Sequence, residues 1–152
     1  MFPLKNQKYI IMWWGINMFE EIDHTADLAL QVRAKNIEEL FTEAARGMFY
    51  LMFDEDTKKN KSRELKIQLD SFSLENLLVD FLNELLYISD KDDLALNDLK
   101  IKIINNKKKL LKSTINLIKN ANKKTAIKAA TYHNLKIRQK GNYYQVQITF
   151  DI

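Results

Sequence analysis

The sequence predicts a single α+β domain in which two amphipathic helices pack on a mixed, mainly antiparallel β-sheet. Three observations lead to this fold class. The chain has 152 residues, the usual length of one domain. Two segments repeat apolar residues at helical spacing, and several later segments alternate apolar and polar residues between short turns. Hydrophobic residues make up 46% of the chain, which is enough to form a core and excludes a wholly disordered protein.

Residues 1–17 precede the first of these patterns. Their longest apolar stretch, residues 9–16, is far shorter than the roughly 20 residues needed to cross a membrane. Lys5 and Lys8 precede that stretch, but no small-residue cleavage site follows, which argues against a secretory signal. We therefore expect residues 1–17 to be an N-terminal extension upstream of the true start, and residues 18–152 to form the domain.

The first regular pattern is an alternation of apolar and polar residues over positions 28–34, which predicts a half-buried strand that Asp27 directly precedes. Asn36 is then placed to cap a helix, and Glu39 completes a capping-box pair. The apolar positions that follow share one broad helical face. They are Ile37, Leu40, Phe41, Ala44, Ala45, Met48, Phe49 and Met52.

A polar, lysine-rich connection over residues 54–61 leads to a second alternating segment, 65–69, which predicts another strand. Ser73 is a suitable N-cap for a second helix that ends in the charged cluster 90–93. Its apolar pattern lasts only about two heptads, which favours a core-facing helix over a zipper. The apolar residues are Leu74, Leu77, Leu78, Phe81, Leu82, Leu85 and Leu86.

The rest of the chain has the pattern of strands joined by short turns. Alternating or extended segments occur at residues 99–103, 111–117, 127–132, 135–137 and 144–150. Turns are predicted at residues 105–109 and at Gly141 with Asn142. Because short turns join antiparallel neighbours, these segments predict hairpins.

The composition restricts the chemistry. The chain has no cysteine, which excludes disulfides, thiolate metal sites and cysteine nucleophiles and fits a reducing compartment. The three glycines are too dispersed for a phosphate-binding loop, and His24 and His133 have no nucleophile motif beside them. A net charge of +4 suits an RNA-associated protein, but the lysines accompany asparagine and isoleucine throughout, so we give it little weight.

Carboxylates at strand ends form the candidate site. Asp27 opens the first predicted strand, and the last alternating run ends at Asp151 and Ile152, whose α-carboxylate adds a further anionic group. If these strands are neighbours, their oxygens suit a hard cation such as calcium or magnesium. Spacing alone, however, favours two ordinary solvated aspartates over a metal site.

The sequence resembles the archease family at a series of stretches in the family's order. Asp-His-Thr-Ala-Asp at residues 23–27 resembles the family's opening signature. The further stretches are residues 36–53 and 74–87, which resemble its two helices, and residues 128–133 and 150–152, which resemble its later motifs. Residues 107–124 are shorter and more lysine-rich than the family's connection, and we expect them to lack part of a strand or loop.

The resemblance implies a cytoplasmic, non-catalytic protein cofactor. Archeases assist the RtcB-type RNA ligase, which joins RNA ends in tRNA splicing and RNA repair through a GTP-derived covalent guanylate. They promote guanylylation and turnover of the ligase. The resemblance therefore implies an RtcB-type ligase as partner, contact with RNA through that ligase, and no membrane association; we expect a monomer.

The resemblance also implies a set of site residues. The ligands of a divalent cation would be Asp27, Asp151 and the terminal carboxylate of Ile152, with calcium the expected ion and magnesium or manganese as alternatives. Lys128, in the match to the Lys-Ala-x-Thr-Tyr motif, is a candidate functional contact, and a solvated strand lysine is an equally good interpretation. Asp54, after the first helix, is another candidate contact.

Two other functions stay open. One is a metal-binding chaperone or RNA-binding module without a ligase partner, in which the lysines of residues 107–124 contact phosphates. These lysines lack the interleaved aromatic residues that would stack on bases. The other is a metal-dependent hydrolase, for which the sequence offers neither a convincing general base nor a second set of ligands.

Overall fold

The structure is a computed structural model that describes residues 17–23, 27–55, 61–120 and 122–152. Its elements, in chain order, are β1 (Met18–Asp23), β2 (Leu28–Ala34), α1 (Ile37–Met52), β3 (Ser62–Ser71), α2 (Leu74–Asp92), β4 (Leu94–Asn105), β5 (Lys109–Lys119), β6 (Ala129–Thr131), β7 (Arg138–Lys140) and β8 (Tyr143–Asp151). Most of the predicted extension, and His24 of the opening signature, lie outside the described residues.

The described strands form two antiparallel sheets. One has the order β1-β2-β8-β6, with β7 also pairing with β8, and the other has the order β3-β5-β4. Helix α1 packs on β2 and β4, and α2 packs on β3 and β6, so each helix contacts both sheets. The predicted α+β class with two packed helices is confirmed. The strands divide between two sheets, instead of forming one mixed sheet, because the segment after β5 leaves its own sheet and pairs with β8 as β6.

Helix α1 begins at the predicted N-cap. The Asn36 side chain accepts a hydrogen bond from the Glu39 backbone N–H at 2.8 Å. The Glu39 carboxylate accepts from the Asn17 side-chain amide at 2.5 Å, in place of the cap backbone that a full capping box would use. Asn17 also accepts from the Lys35 backbone N–H at 2.9 Å, so this residue of the predicted extension lies against the corner between β2 and α1.

Helix α2 also begins and ends as its sequence predicts. The Ser73 hydroxyl accepts from the Asn76 backbone N–H at 3.0 Å. The helix ends at Asp93, in the predicted charged cluster, with a left-handed backbone at φ 50°. The buried Ser89 hydroxyl donates to the Leu94 carbonyl at 2.6 Å, which fixes the tight connection into β4.

Two segments, β1 and the start of β4, differ from the sequence prediction. Strand β1 was not predicted, because its residues do not alternate and its ladder depends on the hairpin with β2. Strand β4 begins at Leu94, earlier than predicted, because an irregularity between Leu96 and Asp98 shifts the alternation. The strand predicted at residues 111–117 is confirmed as part of β5, the 11-residue central strand of its sheet, and the expectation that residues 107–124 lack part of the family's connection stays a prediction.

The core lies between the helices and the inner faces of both sheets. Phe41 of α1 and Phe81 of α2 are fully buried, and their ring centroids are 6.4 Å apart, so the helices meet through an aromatic pair. Leu30 and Ile148 contribute from one sheet and Leu111 from the other, all with no exposed surface. Among the described residues, no helix is long and apolar enough to cross a bilayer.

Candidate metal centre

The sheet register brings the two predicted aspartates to the same place. Strands β2 and β8 are antiparallel neighbours, with Leu28 opposite Phe150. If this register is continued one position outward, Asp27, which directly precedes β2, falls opposite Asp151. Facing residues on antiparallel strands have Cα atoms about 4.5–5.5 Å apart and point to the same face. The two carboxylates therefore belong to one end and one face of the sheet.

Strand β6 adds a third chain segment to this end of the sheet. Ala129 lies opposite Asp151. The backbone N–H of Lys128 donates to the Asp151 carbonyl at 2.8 Å, which extends the ladder to the residue beside Ile152. The Lys128 side chain is exposed, and Ile152 is 50% exposed. The structure thus gathers Asp27, Asp151, Ile152 and Lys128 at one end of a three-strand ladder.

The atoms at this end of the sheet that could bind a metal are all oxygens. Asp151 is exposed and Asp27 is half-buried, and within the described ranges neither carboxylate is hydrogen-bonded or ion-paired with another residue. Among the described residues, no three His, Asp or Glu side chains lie close enough together to hold a metal ion. The site therefore consists of two side-chain carboxylates and the main-chain oxygens at Ile152. That donor set fits a hard cation in kind, and since calcium takes about six to eight oxygens, it leaves several positions open to other ligands.

Helix α2 holds β6 in place. The Asn83 amide donates to the Ala130 carbonyl at 3.2 Å and accepts from the Ala130 N–H at 2.8 Å. The Tyr132 hydroxyl donates to the Asp80 carboxylate at 2.7 Å. This hydrogen bond, with smaller contributions from burial and from the charge of Asp80, raises the pKa of Tyr132 above its usual value.

Asp54 lies in a different cluster. Its carboxylate is 3.4 Å from the Lys124 ammonium, its backbone N–H donates to the Asn122 carbonyl at 2.9 Å, and its carbonyl accepts from the Asn120 amide at 2.9 Å. These contacts attach the end of α1 to the segment that follows β5. The role of Asp54 as a functional contact stays a prediction.

Sequence reasoning missed Asn83. It stands in the stretch that resembles the family's second helix, but its partner lies 47 residues later, and no local pattern reports that pairing. Sequence reasoning also did not single out Thr131. Its hydroxyl is buried without a hydrogen-bond partner in the described part of the chain, and Thr131 lies two positions along β6 from Ala129, the residue opposite Asp151.

Comparisons with known proteins agree with this architecture. The protein archease of Sulfurisphaera tokodaii is 33% identical over 138 residues, covering 88% of this chain and 98% of that protein. The protein archease of Methanosarcina barkeri is 35% identical over 143 residues, covering 88% and 95%.

Two solved structures are similar across nearly the same length. The solution structure of Methanobacterium thermoautotrophicum protein 1598 matches with a TM-score of 0.74 at 26% identity, covering 88% of this chain and 98% of that one. The crystal structure of an archease, described as a possible chaperone, from Thermotoga maritima matches with a TM-score of 0.61 at 26% identity, covering 86% and 94%. The model of the Archease protein family (MTH1598/TM1083) matches residues 19–152, and the chain therefore belongs to the archease family.

Proposed function

We propose that this protein is a cytoplasmic, non-catalytic activator of an RtcB-type RNA ligase, and that it acts in tRNA splicing and RNA repair by promoting guanylylation and turnover of the ligase. Asp27, Asp151 and the terminal carboxylate of Ile152 bind a divalent cation, with calcium the best match. The observation that supports the proposal is the β2–β8 register, in which Leu28 lies opposite Phe150, so that Asp27 and Asp151 each come next at the same end of the two strands.

A cation bound at this site would keep coordination positions free for groups of a partner protein. A structural calcium site surrounds its ion with protein oxygens, whereas the described residues at this sheet edge offer only the carboxylates of Asp27 and Asp151 and the main-chain oxygens of Ile152. A bound cation would neutralise phosphate charge where the GTP-derived guanylate is transferred. The backbone N–H of Lys128 donates to the Asp151 carbonyl, and its exposed side chain adds a cationic group at the same end of the sheet that can contact an anionic partner.

The first experiment measures GTP-dependent guanylylation of the cognate ligase with the wild-type protein, Asp27→Asn, Asp151→Asn and a form extended beyond Ile152. Each change removes one charged oxygen group or moves the chain terminus, so we expect the stimulation to be lost in all three. Asp70→Asn is the matched control, because Asp70 is an exposed aspartate near the end of β3, in the other sheet. Stimulation that is equal in Asp27→Asn and Asp70→Asn would contradict the proposed role of the site.

Metal binding is measured separately by thermal unfolding in calcium and in chelator. Ligand that binds only the folded state adds about 2.7 kcal/mol at 100 times its Kd, so calcium should raise the Tm of the wild type. Asp27→Asn should lose most of this shift, since even residues that support metal ligands change affinity about 10–100-fold. A calcium shift without ligase stimulation would overturn the ligase role alone and would favour the metal-binding chaperone or RNA-binding alternative.

A further inference from the structure

The outer face of the three-stranded sheet carries a cluster of lysines. Along β3, β4 and β5, one set of alternate residues packs inward, including Ile67, Leu99 and Ile115. The other set points away from the core and includes four exposed lysines, Lys66, Lys100, Lys102 and Lys112. These four residues, together with Gln68 and Thr114 between them, are here called the lysine face. They line a shallow groove of about 410 Å³.

The strand register sets the spacing of the lysine face. Lys66 and Lys100 lie on either side of Thr114 on the central strand. One row further along, Lys112 lies between Gln68 and Lys102. Adjacent strands are about 4.8 Å apart and alternate residues about 6.7 Å apart, so the four lysines rise from an area about 10 Å by 7 Å. Such a patch concentrates positive charge on a flat surface.

The lysines of this face lack acidic partners. Within the described ranges none of the four forms an ion pair, and Lys102 lies directly opposite Lys112, a like-charge pairing that destabilises a sheet. Elsewhere in the chain, Lys108, Lys123 and Lys124 each lie within 4 Å of an aspartate oxygen. Other exposed lysines within the described ranges, such as Lys35 and Lys136, also lack an ion pair, so this face is distinguished by four such lysines within one small area. The arrangement points to a ligand that supplies the negative charge.

An exposed aromatic residue lies at the hairpin end of the same sheet. Phe72, directly after β3, is 73% exposed. The Lys108 ammonium is 5.8 Å from its ring centroid and 3.6 Å from the Asp70 carboxylate, so the turn between β4 and β5 is tied to this ring. The fold therefore places an exposed aromatic side chain beside Lys108, at one end of the sheet that carries the lysine face.

We propose that the lysine face and Phe72 bind a single strand of RNA directly. The lysines contact successive phosphates, Gln68 and Thr114 offer hydrogen bonds between them, and Phe72 stacks on an unpaired base. The groove is open and its exposed side chains are mainly lysines, which favours a phosphate backbone over a protein segment anchored by a buried side chain. This inference does not depend on ligase activation, since it concerns a different surface and is tested without the ligase.

The test is fluorescence anisotropy of a fluorescein-labelled single-stranded RNA of mixed sequence, titrated with the purified protein at several salt concentrations. Four phosphate contacts predict a slope of log affinity against log salt of about −3. Replacing Lys66, Lys100, Lys102 and Lys112 together by Gln should abolish most of the binding and flatten the slope. The control replaces the exposed Lys35, Lys61, Lys136 and Lys140 by Gln, which removes the same charge from other surfaces.

Phe72→Ala should weaken binding of the single strand at least about fivefold and leave a duplex of the same sequence unaffected, because only unpaired bases stack on the ring. Tyr87→Ala is the matched control, since Tyr87 is 61% exposed and has Lys91 4.6 Å from its ring centroid. Equal affinity of the two quadruple variants, each verified as folded by circular dichroism, would overturn the proposal. Displacement of the RNA by polyglutamate at equal charge would overturn it as well, by showing a site for any acidic polymer.

Discussion

The side chain of Asn83 on α2 exchanges two hydrogen bonds with the backbone of Ala130 on β6, at 3.2 Å and 2.8 Å. Strand β6 has only three residues and pairs with β8. The amide of Asn83 supplies the bonds that a further strand would otherwise make, so the edge does not present unpaired backbone groups. Helix α2 in this way holds Lys128 beside Asp151.

Asn83→Ala should destabilise the protein by about 2–3 kcal/mol. Ala130 is 4% exposed, so the substitution leaves a buried donor and a buried acceptor without partners. The free energy of unfolding in urea measures this loss. Asn97→Ala is the control, because the amide of the exposed Asn97 donates to the Asn116 side chain at 3.1 Å and water can replace that bond. Equal losses in both variants would contradict the edge-pairing role of Asn83.

Gly47→Ala should also lower stability, against the usual preference for alanine in a helix. A Cβ at this position of α1 would lie 2.5 Å from Leu30 Cδ2 and 3.0 Å from the Phe19 ring, and both side chains are buried. Overpacking costs about 1–3 kcal/mol, whereas the helix propensity gain is about 1 kcal/mol. Urea unfolding of Gly47→Ala and of Gly47→Ala with Leu30→Val measures the balance. The penalty should shrink in the Leu30→Val background, and a stabilised single variant would contradict the close packing.

The sequence allowed prediction of features that depend on neighbouring residues. Asn36 and Ser73 mark the helix starts because each side chain bonds a backbone N–H three residues later. The alternation of β8 likewise needs no distant information. The division into two sheets could not be predicted in the same way. It depends on which strand accepts β6, and that choice is made by packing against α2 and β8.

The candidate site shows the same division. Strand ends identified Asp27 and Asp151, but only the register of β2 with β8 places the two strand ends next to each other. Asn83 escaped prediction because its two bonds are long-range. Phe72 was likewise not linked to Lys108, although the structure brings the two together at one end of the sheet. Contacts between residues that are distant in sequence are therefore the part of the site that the sequence did not predict.

Asp80→Asn should lower the pKa of Tyr132 towards its ordinary value. In the wild type the hydroxyl donates to the Asp80 carboxylate, which favours the protonated phenol, and the nearby negative charge disfavours phenolate. Titration of the Tyr132 ring carbon by NMR in carbon-13-labelled protein reports this change. Asp92→Asn, on the same helix and 3.3 Å from Arg63, should leave the midpoint unchanged. An unchanged Tyr132 midpoint in Asp80→Asn would exclude Asp80 as the cause.

Glu43 should make stability depend on pH. Its side chain on α1 is buried, and one carboxylate oxygen has no hydrogen-bond partner within the described residues. Burial raises the pKa of Glu43 above 4.5, against the lowering effect of the Arg46 guanidinium 3.4 Å away, and the charge of Glu39 adds to the rise. The folded protein therefore retains the Glu43 proton at pH values where the unfolded chain has lost it.

The sign of the effect follows from proton binding. Between pH 4.5 and the raised pKa the folded state binds more protons than the unfolded state, so Glu43 makes the free energy of unfolding fall as pH rises through this window. Glu43→Gln removes this titratable group and should flatten the dependence of the free energy of unfolding on pH in this window. The stability of the variant should therefore rise relative to that of the wild type as pH rises. Urea unfolding at a series of pH values measures both curves. The exposed Glu64→Gln variant should keep the wild-type slope, and parallel curves for wild type and Glu43→Gln would show that another group causes the decline.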